Sequence, residues 1–454
     1  MKLIYNIQDK PKAGQLIIFS LQQLLAIMTA TLVVPVIVGN NMSTGAALFG
    51  AGIGTLVYIL FTKKRSPVFL GSSFAFIGPM SGAFAGSVSM SLGYLGLILG
   101  AIFAGLVYVV IAIVVKIAGV KWVSKLMPAA VIGPTVALIG LSLAGNAVGD
   151  LVKGNVTSAA GTPLASPLIA ILCGLVTLAI TILCSTYGKK TIKMIPFIIG
   201  ILSGYAFAGI LTIIGNAADL DALKVIDFSV FNRLLVDGKV ALGTFFAVPD
   251  FTFLTAFKGF GELNATYVGA IAVAYIPVAF VVFAEHLADH KNISSIIEKD
   301  LLEDPGLHRT LLGDGIGSLI GAVFGGCPNT TYGESVACVA ITRNASIYTI
   351  IGAAVGAVIV AFLNPFIVFV NSIPSCVMGG VCMALYGFIA VSGLKMIQKV
   401  DLEENRNLFV VSVILISGIG GLTVSIGKVT LTPVACALIL GILTNVMLGK
   451  KQAE

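Results

Sequence analysis

Two glutamates, Glu285 and Glu334, stand in long apolar runs that hold almost no other charge. Glu285 closes the uninterrupted apolar stretch from Ala270 to Ala284 and opens Glu285-His286-Leu287-Ala288-Asp289-His290-Lys291. About a turn and a half of helix separates it from Lys291, so it should remain buried rather than snorkel to water. Glu334 lies in Asn329-Thr330-Thr331-Tyr332-Gly333-Glu334-Ser335, with no cluster of charges around it. A carboxylate accepts hydrogen bonds from N–H groups, and a protonated carboxyl donates one. An acid at membrane depth costs about a few kcal/mol and marks a functional site by default.

Asp289 falls one helical turn beyond Glu285 on the same face, placed to relay protons or to pair with His or Lys. Its plain alternative is a cap-region acid. His286 points roughly 100° around the helix from Glu285, and His290 is placed at the membrane interface. Gly333 would let backbone approach a ligand closely. Phe74, beside Ser72 and Ser73, offers backbone amides and a ring for stacking, or simple packing. Arg343 reads as interfacial. The seven cysteines lie in or beside apolar runs with no C-x-x-C pair, so they read as small membrane-core residues without metal or disulfide chemistry. No cofactor is expected.

Elements able to hold these groups follow from composition. The 454 residues are 57% hydrophobic and 10% charged, with a mean hydropathy of +1.05. A soluble domain carries about 25% charged residues, and a bilayer is the natural solvent for the excess apolar surface. The net charge of +7 comes in short basic clusters between apolar runs, a topology signal and not a nucleic-acid stripe. A spanning helix needs roughly 20 apolar residues, and the chain offers about fourteen candidates, some broken. They cover 14–39, 44–62, 67–88, 92–118, 127–149, 165–187 and 192–215, then 265–288, 310–325, 328–342, 345–370, 374–394, 407–424 and 431–448. With both termini cytoplasmic, all but six of the 27 Lys and Arg fall inside, Lys2, Lys190, Lys450 and Lys451 among them. The run from Gly14 to Gly39 exceeds a signal-peptide core and reads as a first span.

Short patterns recur in the same order in two halves. Gln22-Gln23-Leu24 answers Glu285-His286-Leu287, and Gly52-Ile53-Gly54-Thr55-Leu56 answers Gly315-Ile316-Gly317-Ser318-Leu319 at the same offset. Pro67 with Gly71-Ser72-Ser73-Phe74 answers Pro328 with Thr330-Thr331-Tyr332-Gly333-Glu334, and Pro128-x-x-Val131-x-Gly133 answers Pro374-x-x-Val377-x-Gly379. Seven spans separate the equivalents, so the repeats should run in opposite directions through the membrane, as in secondary transporters. The segments 67–76 and 328–335, rich in Gly, Ser, Thr and Pro, are the interrupted third and tenth spans. Non-helical backbone at that depth must be buried or line a cavity, and two short antiparallel strands meeting near the midplane would satisfy this.

At these residues the chain resembles the nucleobase–cation symporter (nucleobase–ascorbate transporter) family, on its uracil branch rather than its purine branch. The resemblance spans nearly the whole length. It runs through Leu70-Gly71-Ser72-Ser73-Phe74-Ala75-Phe76, Ala284-Glu285-His286, Asp304-Pro305-Gly306-Leu307-His308-Arg309, Pro328 to Glu334 and Ala340-Ile341-Thr342-Arg343. It implies an all-α membrane protein of two inverted seven-span repeats. The core domain would comprise 1–118 and 241–371, the gate domain 119–240 and 372–454. Glu285 and Glu334 would bind the base by side chain, and Phe74 and Gly333 by backbone. Many relatives carry Asn and Gly after the second glutamate where this chain has Ser335 and Ala337. Some proton-coupled relatives carry His where this chain has Asp289.

The expected activity is uracil import by proton symport, with Glu285 and Asp289 carrying the coupling and Ser73 joining the substrate site. Partners would be the nucleobase, protons, the cytoplasmic membrane and a second copy in a homodimer, with no nucleic acid. A xanthine-type purine permease is the nearest alternative. An anion carrier should place a cation or bare helix N-termini where this chain has acids, and a channel needs a continuous polar pore. An intramembrane aspartyl protease is hinted at by Gly313-Asp314-Gly315, but Leu311 breaks the G-x-G-D pattern.

Overall fold

The computed structural model of the protein describes residues 3–158, 161–189, 191–235, 238–426 and 429–449. Lys2, Lys190, Lys450 and Lys451, counted above on the cytoplasmic side, lie outside the described residues. The principal elements begin with α1 (Ala13–Val38), α2 (Thr44–Phe61), β1 (Leu70–Ser72), α3 (Ile77–Ala85), α4 (Met90–Ala118), α5 (Ala129–Ser142), α6 (Pro167–Tyr187) and α7 (Pro196–Ala217). They continue with α8 (Ala265–Ile297), α9 (Leu307–Gly325), β2 (Asn329–Thr331), α10 (Gly333–Thr342) and α11 (Ile347–Val360). Last come α12 (Ser375–Ile397), α13 (Asn405–Ile419), β3 (Val424–Ile426), β4 (Val429–Leu431) and α14 (Pro433–Leu448). Among the described residues, 8 helices are long and apolar enough to cross a membrane, and α10, α11, α13, α14 and Phe74–Ala85 are shorter apolar helices. The protein is a multi-pass membrane protein.

The chain forms two compact units. One comprises Leu143–Pro249 and Ile359–Gly387. Within it α6 and α7 meet through small residues, where a Cβ on Gly200 would fall 2.9 Å from the Thr177 carbonyl. Thr177 and Thr181 return their hydroxyls to carbonyls one turn back, so neither is left unpaired at the contact. The Asn155 side chain ties its loop to the start of α12, donating to the Ile373 carbonyl at 3.1 Å and accepting from the Ser375 N–H at 3.0 Å.

The other unit comprises Met1–Ser142, Asp250–Val358 and Phe388–Glu454, and it holds every residue singled out above for chemistry. Its centre is a ladder of two three-residue strands. β1 and β2 pair antiparallel, with Leu70 opposite Thr331, Gly71 opposite Thr330 and Ser72 opposite Asn329. Backbone bonds from Ser73 N to the Pro328 carbonyl (2.9 Å) and from Tyr332 N to the Phe69 carbonyl (3.2 Å) extend it by a rung at each end. Because the strands are antiparallel, the helices that follow them, α3 and α10, leave from opposite ends.

Strand edges inside a membrane protein must find donors and acceptors without water. Here side chains supply them. The Thr55 hydroxyl, on α2, accepts from Leu70 N at 2.9 Å and reaches the Leu70 carbonyl at 3.1 Å. The Ser335 hydroxyl accepts from Phe69 N at 3.0 Å and from the Gln23 amide of α1. Tyr332 donates to the Ser72 carbonyl at 2.8 Å. The strands are also short of bulk on one side: α2 and α9 cross so closely that a Cβ on Gly50 would stand 2.9 Å from the Gly321 carbonyl. Such glycine crossings let backbones approach as in other membrane bundles. The Asn329 amide fills the remaining gap, donating to the carbonyls of Gly50 (3.1 Å) and Gly317 (3.3 Å).

Asn329→Ala should therefore leave two buried carbonyls short of a donor, at about 1–3 kcal/mol each. Asn329→Asp, which also lacks the amide, should be at least as damaging. Thermal unfolding of the purified protein in detergent checks this; an Asn329→Ala protein melting with the wild type would refute the role given to the amide.

Candidate functional site

Helix α8 carries Glu285 and Asp289 in its C-terminal half, beyond Pro277. One turn apart, both carboxyls face the ladder. Asp289 Oδ2 accepts a 2.9 Å bond from the hydroxyl of Thr331, the last residue of β2. Gly333 begins α10 two residues later, and a Cβ there would sit 3.6 Å from Asp289 Oδ1. Glu334 follows in the first turn of α10, half-buried, its carboxyl bonded by its own backbone N–H. Glu285 is half-buried too, yet its Oε2 is shielded from solvent and has no hydrogen-bond partner. Glu285, Asp289 and Glu334 lie within one another's electrostatic reach.

The structure thus brings Glu285, Asp289, Gly333 and Glu334 into one cluster at the end of β2. Gly333 is exposed in it, so its backbone is open to a ligand. Ser73 and Phe74 stand at the other end of the same ladder. Ser73 is fully buried and its hydroxyl has no partner, while its N–H is committed to Pro328. Phe74 is buried, and two residues on, the Phe76 ring stacks on Tyr275 with centroids 5.4 Å apart.

Two expectations change, and one departure from the family pattern gains partners. Asp289 pairs with neither His nor Lys; a strand hydroxyl holds it. His290 is not interfacial but completely buried, its Nε2 2.8 Å from the Tyr58 hydroxyl and its Nδ1 donating to the His286 carbonyl at 2.8 Å. Ser335, noted as a departure from the family pattern, turns its hydroxyl to the Phe69 backbone and to Gln23 rather than to an open site.

Sequence reasoning also passed over the pairing of His286 with Asp314, whose Nδ1 and Oδ2 are 2.7 Å apart and fully buried. An aspartate flanked by glycines in a helix with no nearby base was a signal for it. Among the described residues, no Lys or Arg forms an ion pair with Glu285, Asp289, Asp314 or Glu334. The arrangement offers hydrogen-bond acceptors, or donors when protonated, to a planar polar solute. It offers no cation to an anion.

Comparison with known proteins gives the family. A model described as "Permease family" matches residues 14–427. The chain is 39% identical to "Uracil permease" of Bacillus caldolyticus over 457 residues, covering 100% of this chain and 96% of that one. It is 38% identical to "Uracil permease" of Bacillus subtilis, with 100% and 97% covered, and 36% identical to that of Escherichia coli K12, with 96% and 92% covered. Among solved structures, the transmembrane domain of the cyanobacterial bicarbonate transporter BicA superposes with a TM-score of 0.62 at 14% identity, covering 97% of this chain and 100% of that one. SLC26A9 superposes with a TM-score of 0.60 at 11% identity, covering 97% and 67%. At those identities the likeness is one of fold alone. The chain belongs to this permease family, that of the nucleobase–ascorbate transporters, and is a transporter and not an enzyme.

Proposed function

We propose that this permease imports uracil by proton symport. The observation that carries the reading is the carboxyl of Glu285, shielded, without a partner, and set beside Glu334 and the exposed backbone of Gly333. Uracil is a neutral ring with two N–H donors and two carbonyl acceptors. Glu285 and Glu334 accept from its N–H groups, and the backbone at Gly333 and Phe74 meets its carbonyls. Ser73 supplies a hydroxyl at the far end. The three relatives named above are uracil permeases, which supports the substrate. The acids argue against the anions that BicA and SLC26A9 carry despite the shared fold.

Three acids close together with no base cannot all be charged in a low-dielectric pocket. A proton taken up at Asp289, or handed on by Glu285, relieves their repulsion and leaves Glu285 an acceptor for the uracil N–H groups. Proton and substrate then favour each other, and by linkage the coupling is reciprocal. In this reading fourteen spans form two inverted repeats, with both termini cytoplasmic. A core of 1–118 and 241–371 moves against a gate of 119–240 and 372–454 to expose the site alternately. A homodimer in the cytoplasmic membrane is the assembly that goes with it.

Proteoliposome uptake tests the reading. Labelled uracil should accumulate against its gradient when the interior is alkaline, saturate, and stop when the proton gradient is collapsed. Xanthine should compete poorly; effective competition by xanthine would move the chain to the purine class.

Glu285→Gln should weaken uracil binding by about 1.5–3 kcal/mol, roughly ten- to a hundredfold, because a charge-assisted acceptor becomes a neutral one. It should also flatten the pH dependence of uptake. Full proton-coupled uptake by this variant would remove Glu285 from the mechanism. Thr331→Val frees Asp289 from its strand partner without touching either glutamate. It should shift the pH dependence of transport while changing uracil affinity at acidic pH less than Glu285→Gln does; an unshifted profile would reduce Asp289 to a structural role.

A further inference from the structure

Beneath the substrate cluster lies a second group of buried polar side chains that the reading above does not use. His286 follows Glu285 directly on α8 and turns away from the ladder towards α9. Its Nδ1 is 2.7 Å from Asp314 Oδ2, and its Nε2 is 3.0 Å from the Thr310 hydroxyl. All three side chains are completely buried. The hydrogens can be assigned from the hydrogen-bond pattern. The Thr310 hydroxyl donates to the Leu307 carbonyl at 3.1 Å, so its oxygen accepts from His286, and Nε2 carries a hydrogen. With Nε2 protonated, a neutral ring offers Nδ1 only as an acceptor. The 2.7 Å contact then needs a hydrogen that comes either from a protonated Asp314 or from a doubly protonated ring.

Both assignments put one proton between Nδ1 and Oδ2 and leave the pair neutral. The remaining assignment gives His286 a single hydrogen on Nδ1 and has Thr310 donate to Nε2. It leaves a full negative charge on Asp314, with zero exposure, no Lys or Arg partner among the described residues, and Oδ1 bonded to nothing. A lone buried charge of that kind is strongly disfavoured. The neighbour on the other side adds no second cation. His290 stacks on His286 with ring centroids 4.0 Å apart, and its Nδ1–H is spent on the His286 carbonyl. Its Nε2 accepts from Tyr58, which in turn meets Ser66 at 2.7 Å, so His290 is satisfied as a neutral ring.

The pair is not isolated from the substrate site. The ionisable groups that face it are Tyr58 on α2, Tyr108 on α4, and Glu285, Asp289 and His290 on α8. Tyr108 is the bridging one. It packs edge-on to His286, its hydroxyl is buried without a partner, and it lies in the fields of both Asp314 and Glu285. Ser318, one turn beyond Asp314, has a second unpartnered hydroxyl. We infer that His286 and Asp314 form a second proton site, out of contact with the substrate, whose loaded state is the one seen here and is required for uracil to bind. Loading moves a proton from Glu285, by way of the Tyr108 hydroxyl or an intervening water, to Asp314. Glu285 becomes a carboxylate able to accept from uracil, the pair becomes neutral, and solvent reprotonates the cluster at Asp289.

This rests on the proton-symport reading, and proton counting separates the two. Purified protein in weakly buffered detergent solution, with a pH indicator, reports protons taken up per uracil bound. Asp314→Asn, whose amide can donate to Nδ1 as the loaded aspartic acid does, should bind uracil within about threefold of wild type at acidic pH. It should take up fewer protons, and lose most of the pH dependence of binding. His286→Gln should lower the count likewise. Thr310→Val, which deletes only the acceptor for Nε2–H, should keep the count but move loading to more acidic pH, and it decides the matter if either of the others fails to fold. Uptake of the wild-type number of protons by Asp314→Asn or His286→Gln, or an unshifted profile in Thr310→Val, overturns the second site. No proton uptake by the wild type overturns proton symport itself.

Discussion

Six strand residues in the middle of a membrane protein need their backbone polar groups satisfied, and the side chains around them are arranged to meet that need. A ladder as short as β1 and β2 has more edge than interior. Without water, each unmet N–H or C=O would cost as much as a strong side-chain interaction gains. Thr55, Ser335 and Tyr332 bond its backbone, Gln23 holds Ser335, and Asn329 ties its strand to α2 and α9. Asn329 does so because α2 and α9 cross at glycines, so carbonyls of both helices come within range of one amide side chain. The closure matters beyond stability. It holds the start of α10, and with it Gly333 and Glu334, at a fixed place relative to Asp289.

The second organising fact is electrical. Four buried or half-buried acids, Glu285, Asp289, Asp314 and Glu334, share the unit with two buried imidazoles and, among the described residues, no buried Lys or Arg. Protons are the only available counter-charge, so protonation state and structure cannot be varied independently. A site of this kind suits a neutral solute with N–H donors. It suits an anion poorly, even on a backbone that superposes on anion carriers, because fold and cargo are set by different residues.

Much of this was readable in the order of the residues, for definite reasons. The membrane character follows from hydropathy, and the family from motifs around Glu285 and Glu334. The breakers in 67–76 and 328–335 fall where β1 and β2 lie. What could not be read is partner choice across long separations: Gln23 with Ser335, Tyr58 with His290, and Asp289 with Thr331. Each depends on which faces of α1, α2 and α8 meet the ladder, and local periodicity carries no information on that. His290 is the clearest case, since its place near the end of an apolar run suggests water whereas α2 covers it. Val424 and Leu431, read as the limits of two spans, are partners in the β3–β4 hairpin, a pairing with too few residues to leave an alternating pattern.

Asp289 is bonded to the last strand residue, and Glu285 sits one turn earlier on the same helix. That bond helps to fix the azimuth of α8 about its own axis, together with those of His286 to Asp314 and of His290 to Tyr58. A rotation large enough to swing Glu285 away from Asp289's present neighbours would have to break the Thr331 contact. The helix therefore behaves as a spindle keyed at several points, one of them on the ladder. The direction in which the Glu285 carboxyl points is set in part by a threonine that does not touch it, and is a property of the ladder as well as of the helix that bears it.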